Sequence, residues 1–386
     1  MRILVFSPFY PPHIGGLESH SDEFNRHLSS RGVTITVYTP HLPTVSPASE
    51  TRHTDVTILR FPAFEAIHNY PVPKFWLPRF WRQWYALSQT EYDVIVSRTR
   101  FFFPSLMALW YAFRHDTPLL HIEHGSDFAH FNGRLKTLIG KIYDIVFGTF
   151  ILCRADALVA NSQASAAFVQ TLSGRTDCQV IYRGSRIDTI EHCVSRPDLA
   201  KQFQNKTIIA FIGRLIDGKG THDLITAVSL LRRDTIVTFI IGGGPEELRL
   251  KTMVRDLHLT EQVLFFGNLP FEEAISILKV AHICVNPSYT EGLPTSVTEA
   301  ALCRKAIIAT QVGGTPEVIS GKGDGYLIPP RDIDYLKEKL LDLIDHPEKR
   351  IAFGNAAYQK VSGQFSWNHA GSQYLSVLNH LIHKKK

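Results

Sequence analysis

The sequence has little cysteine and places it without pattern. Its five cysteines, Cys153, Cys178, Cys193, Cys284 and Cys303, are scattered, odd in number and without metal-ligand spacing. That excludes a disulfide framework and a zinc site, and it reads as a reducing compartment. Long apolar runs are also missing. The longest suspicious one, residues 145–153, falls far short of a bilayer span. The opening Met1-Arg2-Ile3-Leu4-Val5-Phe6 is too short an apolar run for a signal peptide and reads as a first buried strand. No Gly-x-Gly-x-x-Gly occurs, and no acidic residue ends the second strand, which runs into Tyr38-Thr39-Pro40. Both absences argue against an NAD-dependent dehydrogenase. No Asp-x-Asp string lies in a suitable loop, so neither an essential metal nor a cofactor is expected. Excess charge is small as well. The net charge of +5 suits an anionic ligand or membrane surface and demands neither. No nucleic-acid partner is expected. Hydrophobic content of 44% against 20% charged residues excludes a disordered chain.

What is present is a repeated grammar. At 386 residues, two domains are the natural expectation. Residues 2–7, 20–31 and 33–39 read as strand, helix and strand, and residues 207–211, 221–232 and 235–241 repeat that order. Further strands are expected at 56–61, 94–97, 119–123, 157–160 and 180–182, then at 263–266, 283–286, 306–310 and 325–328. Continuous apolar strands alternating with amphipathic helices imply parallel sheets covered on both faces. The fold class is therefore α/β, with two Rossmann-like, doubly wound parallel-sheet domains. The polar stretch 187–206 marks the break. Residues 1–190 would form the first domain and 191–365 the second, with a last helix near 368–383. Ligands of such sheets bind beyond the carboxyl ends of the strands. The cleft between the two domains is the expected site.

The most specific string is Tyr289-Thr290-Glu291-Gly292-Leu293-Pro294-Thr295-Ser296-Val297-Thr298-Glu299, between a strand and a helix over 295–303. A strand, a turn and a helix start favour an anion, because backbone N–H groups and the helix dipole point there. Glu299 would lie about one turn, roughly 6 Å, inside that helix. Glu291 stays in the loop. A phosphorylated ligand at the helix start would have a carboxylate on each flank, and carboxylates bond hydroxyls strongly. A nucleotide-sugar has that layout. Upstream, Gly213-Arg214-Leu215 ends a strand and Asp217-Gly218-Lys219-Gly220 follows. Arg offers a planar fork to phosphate and Lys a point charge. Two surface cations at a strand end, or two solvated glutamates beside a helix, are the bland alternatives.

Together these strings resemble the Glu-x7-Glu and Gly-Arg-x-x-x-x-Lys-Gly motifs of the retaining glycosyltransferases of family 4, whose architecture is called GT-B. The resemblance spans essentially the whole chain. It is strongest over residues 207–330 and weaker over 40–115. It implies that Arg214 and Lys219 neutralise a leaving diphosphate, with Gly292, Leu293, Pro294, Thr295 and Glu299 also on the donor. It implies a sugar-facing role for His124, in Leu120-His121-Ile122-Glu123-His124-Gly125, and for Glu291. Gly15 and Gly16, in the loop before the first helix, would approach phosphate or sugar closely. The last helix, after Phe365-Ser366-Trp367, would return to the first domain. Asn161-Ser162 suits the capping of a helix. Gly242-Gly243-Gly244-Pro245 resembles the family's Gly-x-Gly-Pro turn, with a plain tight turn a nearly equal reading, and Gly313-Gly314-Thr315 reads mainly as structural support. Arg183 stands where the family usually has Asn, which would alter donor contacts or add a cation near the diphosphate.

The implied activity is transfer of a sugar from a nucleoside-diphosphate-sugar to an acceptor hydroxyl with retained anomeric configuration, in glycan, lipopolysaccharide or glycolipid assembly. A nucleotide-sugar epimerase, a phosphorylase of the same layout and a non-catalytic sugar-nucleotide binding protein are the rival readings. A cytoplasmic location is expected, compatible with a peripheral place on the inner membrane face. The 74–87 segment mixes large aromatics with cations. Its stripe of Phe80, Trp84 and Leu87 suits either a lipid interface or burial against the first sheet. Arg98, Arg100 and Lys384–Lys386 would add to a cationic, membrane-facing surface.

Overall fold

Ile3, Leu4, Val5 and Phe6 are fully buried in the first strand, so successive side chains on both faces are covered. Such a strand needs helices on two sides. The computed structural model describes residues 1–13, 15–44, 46–67, 70–128 and 134–385. Ile14, within the first-helix loop, and Lys386 lie outside the described residues. Internal contacts divide the chain into Met1–Gly184 with Trp367–Lys386, and Ser185–Ser366.

The first unit holds β1 (Arg2–Phe6), β2 (Thr34–Pro40), β3 (Ser49–Arg52), β4 (Val56–Phe61), β5 (Ala63–Ile67), β6 (Tyr70–Pro73), β7 (Val94–Arg98), β8 (Leu119–Glu123), β9 (Ala157–Ala160) and β10 (Gln179–Val180). Eight of them form one sheet in the order β10-β9-β8-β7-β1-β2-β4-β3. Its pairings are parallel except β3, which lies antiparallel to β4. On one face, Phe24 and Leu28 of the helix Gly16–Ser29 meet Tyr374 and Leu378 of the helix Trp367–Lys385. On the other face, Phe80 and Leu87 of the helix Pro78–Ser88 join Met107 and Tyr111 of the helix Phe103–Arg114. The stripe of Phe80 and Leu87 is thus core. Trp84 is half-buried and stacks on Trp110 at 4.8 Å. Arg98 and Arg100, expected on a cationic surface, are 0% and 2% exposed. The reason is their partners: Arg98 bonds His20 and lies over the Phe24 ring of the first helix, and Arg100 pairs with the buried carboxylates of Glu123 and Asp144.

The second unit holds β11 (Thr207–Ile212), β12 (Ile236–Ile241), β13 (Val263–Gly267), β14 (Ile283–Asn286), β15 (Ala306–Thr310) and β16 (Tyr326–Ile328). All its pairs are parallel, in the order β13-β12-β11-β14-β15-β16. Chain direction across the sheet reverses between β11 and β14. That is the topological switch point, where a crevice opens beyond the carboxyl ends of the strands. The loops after β11 and β14 are the ones carrying Arg214, Lys219 and Glu291.

Candidate active site

Two loops of the second unit meet at the switch point. After β11 the chain turns through Gly213–Ile216 into the short 3-10 turn Asp217–Lys219. Gly220 follows with φ of 62°, and a Cβ there would collide with the carbonyl oxygen of Pro287. That contact needs glycine, and it brings the two loops together. The Tyr289 N–H donates to the Gly218 carbonyl at 2.9 Å, which closes the same junction. Lys219 is thereby placed beside the motif loop, and its Nζ donates to Oε1 of Glu291 at 2.6 Å. Asn286, the last residue of β14, donates to Ser296 Oγ at 2.7 Å and to the same Glu291 oxygen at 3.4 Å. Sequence reasoning missed Asn286. Its signal is an amide at a strand end, ten residues before the serine it holds.

The glycine turn after β12 supports the other cation. Cβ atoms at Gly242 and Gly244 would strike the carbonyls of Gly213 and Leu215. The Leu215 N–H donates to Gly243 and the Glu246 N–H to Leu215, both at 3.0 Å. So this turn is a backbone shelf under the Gly213–Leu215 loop. Arg214, half-buried above it, makes no side-chain hydrogen bond or ion pair with any described residue. Gly292, Leu293 and Pro294 form the turn before the helix Thr295–Leu302. Pro294 is its N-cap and no side chain caps it. The Gly292 carbonyl accepts from the Gly314 N–H at 2.9 Å, which ties the turn to the Gly313–Thr315 segment. Glu299 is the fifth residue of the helix and is half-buried. A helix start, one uncommitted guanidinium and a paired Lys–Glu therefore share one end of one sheet.

The first unit gathers its own candidates. Gly16 opens the first helix, and Gly15 is its N-cap. A Cβ at Gly15 would meet the Glu18 carboxylate, which is buried and bonded to His13 Nδ1 at 2.5 Å. Arg183 donates to the Gly16 carbonyl at 2.9 Å and to Ser19 Oγ at 3.0 Å. Its guanidinium therefore clamps the loop onto the first helix. Ser162 caps its helix, its Oγ accepting from the Ser165 N–H at 3.1 Å, whereas Asn161 Oδ1 accepts from the Ser165 side-chain hydroxyl at 2.9 Å.

His124 follows β8, and its loop is shaped by Glu123. The N–H groups of His124 and Gly125 donate to Glu123 Oε1 at 2.8 and 2.7 Å. Arg100 reaches the same oxygen at 3.0 Å, and Asp144 at 2.9 Å. Burial opposes ionisation of Glu123, but Arg100 and then His121 outweigh it and hold the carboxyl well below its usual range. His121 is fully buried and bonded to Ser97 Oγ at 2.8 Å. The His124 ring lies 4.6 Å from that of His20, edge to face. Burial and then the charge of Arg98 push His124 down to about 3. Burial and the His124 neighbour lower His20 in the same way. Arg98 itself donates to His20 Nδ1 at 2.9 Å, and burial lowers it to about 10. His124 is thus a neutral imidazole, able to donate or accept a hydrogen bond but not to carry charge. His20 was not foreseen, because eighteen histidines give a single one no weight.

Comparison with known proteins decides the family. Residues 14–189 match the model of Glycosyltransferase Family 4, and residues 197–360 match that of Glycosyl transferases group 1. An uncharacterized glycosyltransferase of Methanocaldococcus jannaschii is 33% identical over 99% of both chains. The chain belongs to the family 4 glycosyltransferases. O-antigen chain mannosyltransferase C of Escherichia coli is 25% identical over the whole of both chains. The solved structure of Anabaena HepE in complex with UDP-glucose superposes with a TM-score of 0.77, at 20% identity, over 98% of this chain and 100% of that one. That likeness shows the GT-B fold: two parallel-sheet, Rossmann-like domains. The family assignment favours a glycosyltransferase over the epimerase, phosphorylase and binding-protein readings.

Proposed function

We propose that this glycosyltransferase moves a hexosyl unit from a nucleoside-diphosphate-hexose to an acceptor hydroxyl, with retention, in the assembly of a glycan or glycolipid. The observation that carries the reading is the Lys219–Glu291 pair, which joins the loops leaving β11 and β14 at the switch point, just before the helix Thr295–Leu302; Arg214 belongs to the first of those loops. The names of its relatives support the donor class. One full-length relative is a mannosyltransferase, and HepE was solved with UDP-glucose.

In this reading Arg214, Lys219 and the backbone of Gly292–Thr295 hold the diphosphate. Positive groups already in place at the leaving group lower the barrier where charge develops. They would serve in place of a metal ion. Glu299 bonds the ribose, and Glu291 and neutral His124 bond sugar hydroxyls. Gly15 and Gly16 leave room for a close approach of backbone to phosphate or sugar. The anomeric carbon–oxygen bond to the diphosphate breaks as the acceptor oxygen bonds the same face. The acceptor proton passes to a diphosphate oxygen, so no protein base is required.

A panel of UDP-, GDP- and ADP-hexoses tests the reading. Thermal stabilisation and slow hydrolysis by one of them are expected. A protein that neither responds to nor turns over any of them would refute it.

A further inference from the structure

The helical run over residues 134–154 is amphipathic in the wrong sense for water. It comprises the helices Arg134–Tyr143 and Thr149–Arg154, joined without a break through the π-helical turn Asp144–Gly148. Gly140, Asp144 and Gly148, four residues apart, face inward and are buried. Asp144 is 0% exposed and ion-paired to Arg100 at 2.9 Å, and a Cβ at Gly148 would strike it. The outward stripe is Leu138, Ile139, Ile142, Ile145, Val146 and Phe150, each between 47% and 58% exposed. A helix covering a protein core in water turns its apolar stripe inward. From Gly140 to Phe150 the polar anchor and the small residues are inside and large apolar side chains are outside; only at Ile151 and Leu152, at the end of the run, does an apolar pair turn inward.

The same side of the first sheet continues the pattern. Leu152, from the end of this run, shares a core with Phe80 and Tyr111 of the two neighbouring helices. The outer surfaces of those helices expose Trp81 at 47%, Tyr85 at 67%, Trp110 at 49% and Phe113 at 83%. Beside them an open groove of about 530 Å³ is lined by Phe75, Trp76, Pro78, Trp81, Arg82 and Tyr85. Apolar patches of this extent on a water-facing surface mark an interaction site.

We infer that this layer docks on an anionic lipid surface, with the 134–154 helix lying in the headgroup plane. Charge selects the occupant. By sequence the run carries Arg134, Lys136, Lys141 and Arg154, and its one acid, Asp144, is buried. Lys141 and Arg154 are exposed beside the apolar stripe. Arg79 and Arg82 are exposed beside the tryptophans. Apolar side chains flanked by cations, with aromatics that prefer the boundary between lipid and water, are the composition of an interfacial helix. The helix lies rather than crosses: no helix among the described residues is long and apolar enough to span a bilayer. The inference is independent of the donor chemistry.

The test is sedimentation of the full chain with phosphatidylcholine vesicles, with and without phosphatidylglycerol. Binding is expected to the mixed vesicles and to weaken with salt. The double substitution Leu138→Glu with Ile142→Glu changes two exposed positions and should lower that binding about tenfold or more, while donor hydrolysis stays unchanged. Equal binding to both vesicle types, retained binding by the variant, or no binding by the native chain would overturn the inference. So would a vesicle-free dimer that the variant dissociates, because a second copy would then be the occupant.

Discussion

Lys219 Nζ sits 2.6 Å from Glu291 Oε1, across 72 residues of sequence. The pair is partly exposed, so its contribution to stability is small. What it fixes is the direction of both side chains at the helix start. Glu291→Gln keeps the shape and removes the charge. Turnover is expected to fall about a hundredfold or more, as when a group that orients or stabilises the transition state is lost. Nucleotide affinity should change little. Steady-state rates with titration of the nucleoside diphosphate separate the two; unchanged turnover would remove Glu291 from the site.

The histidines of the first unit make a pH prediction. His124 and His20 both have folded pKa values below the ordinary 6.5, because burial disfavours the charged ring. The unfolded chain then binds more protons than the folded one below about pH 6.5. The stability these rings contribute is complete above that pH and is lost as pH falls towards about 3, where His124 charges. Urea unfolding at pH 7 and pH 5 should show the loss, and His124→Asn should make the slope shallower. A slope that the substitution leaves unaltered would mean that the ring titrates normally.

Arg100, Glu123 and Asp144 form a triad with exposures of 2%, 1% and 0%. Its two carboxylates are not equivalent. Glu123 is held ionised by Arg100, whereas burial dominates at Asp144 and raises its pKa against the pull of Arg100. Glu123→Gln removes the buried charge that balances Arg100 and sets an amide donor against the Arg100 backbone N–H, which Oε2 accepts at 3.3 Å, and should cost about 3 kcal/mol or more. Asp144→Asn retains an acceptor for Arg100 and should cost less than about 1.5 kcal/mol. Denaturant melts of both variants give the comparison; equal costs would contradict the asymmetry.

Gly220→Ala tests the junction of the two loops. The added methyl group meets the Pro287 carbonyl, and the backbone at φ 62° already disfavours a side chain. Donor affinity should drop at least about tenfold, with a stability loss of about 1–3 kcal/mol. Normal affinity would show that the Lys219 loop reaches the site without this contact.

Much of this architecture was legible in the chain. The strands at 207–211, 283–286 and 306–310 announce themselves because parallel, doubly covered strands are unbroken apolar runs. The helix after Pro294 was legible from its turn and its spacing. Other features left no such trace. The edge strand Ser49–Arg52 is polar and partly exposed, so its pairing with β4 has no apolar signature. Arg183 could be read as a cation for the donor, yet its fork is committed to Gly16 and Ser19, a contact 167 residues away. Arg98 and Arg100 looked like surface charge until the fold set them against buried partners, His20 and Phe24 for one and Glu123 with Asp144 for the other. The inverted helix over 134–154 was invisible as well, because periodicity reports a stripe and not the side it faces.

The most direct measurement is calorimetric titration of UDP and GDP into the native chain and into Arg214→Ala. Arg214 has no protein partner among the described residues, so its loss should leave the melting temperature nearly unchanged. Affinity for the nucleoside diphosphate that binds should fall about tenfold or more, as a charge-assisted contact to phosphate is removed. Equal affinity in the two proteins would contradict a pyrophosphate grip at this helix start.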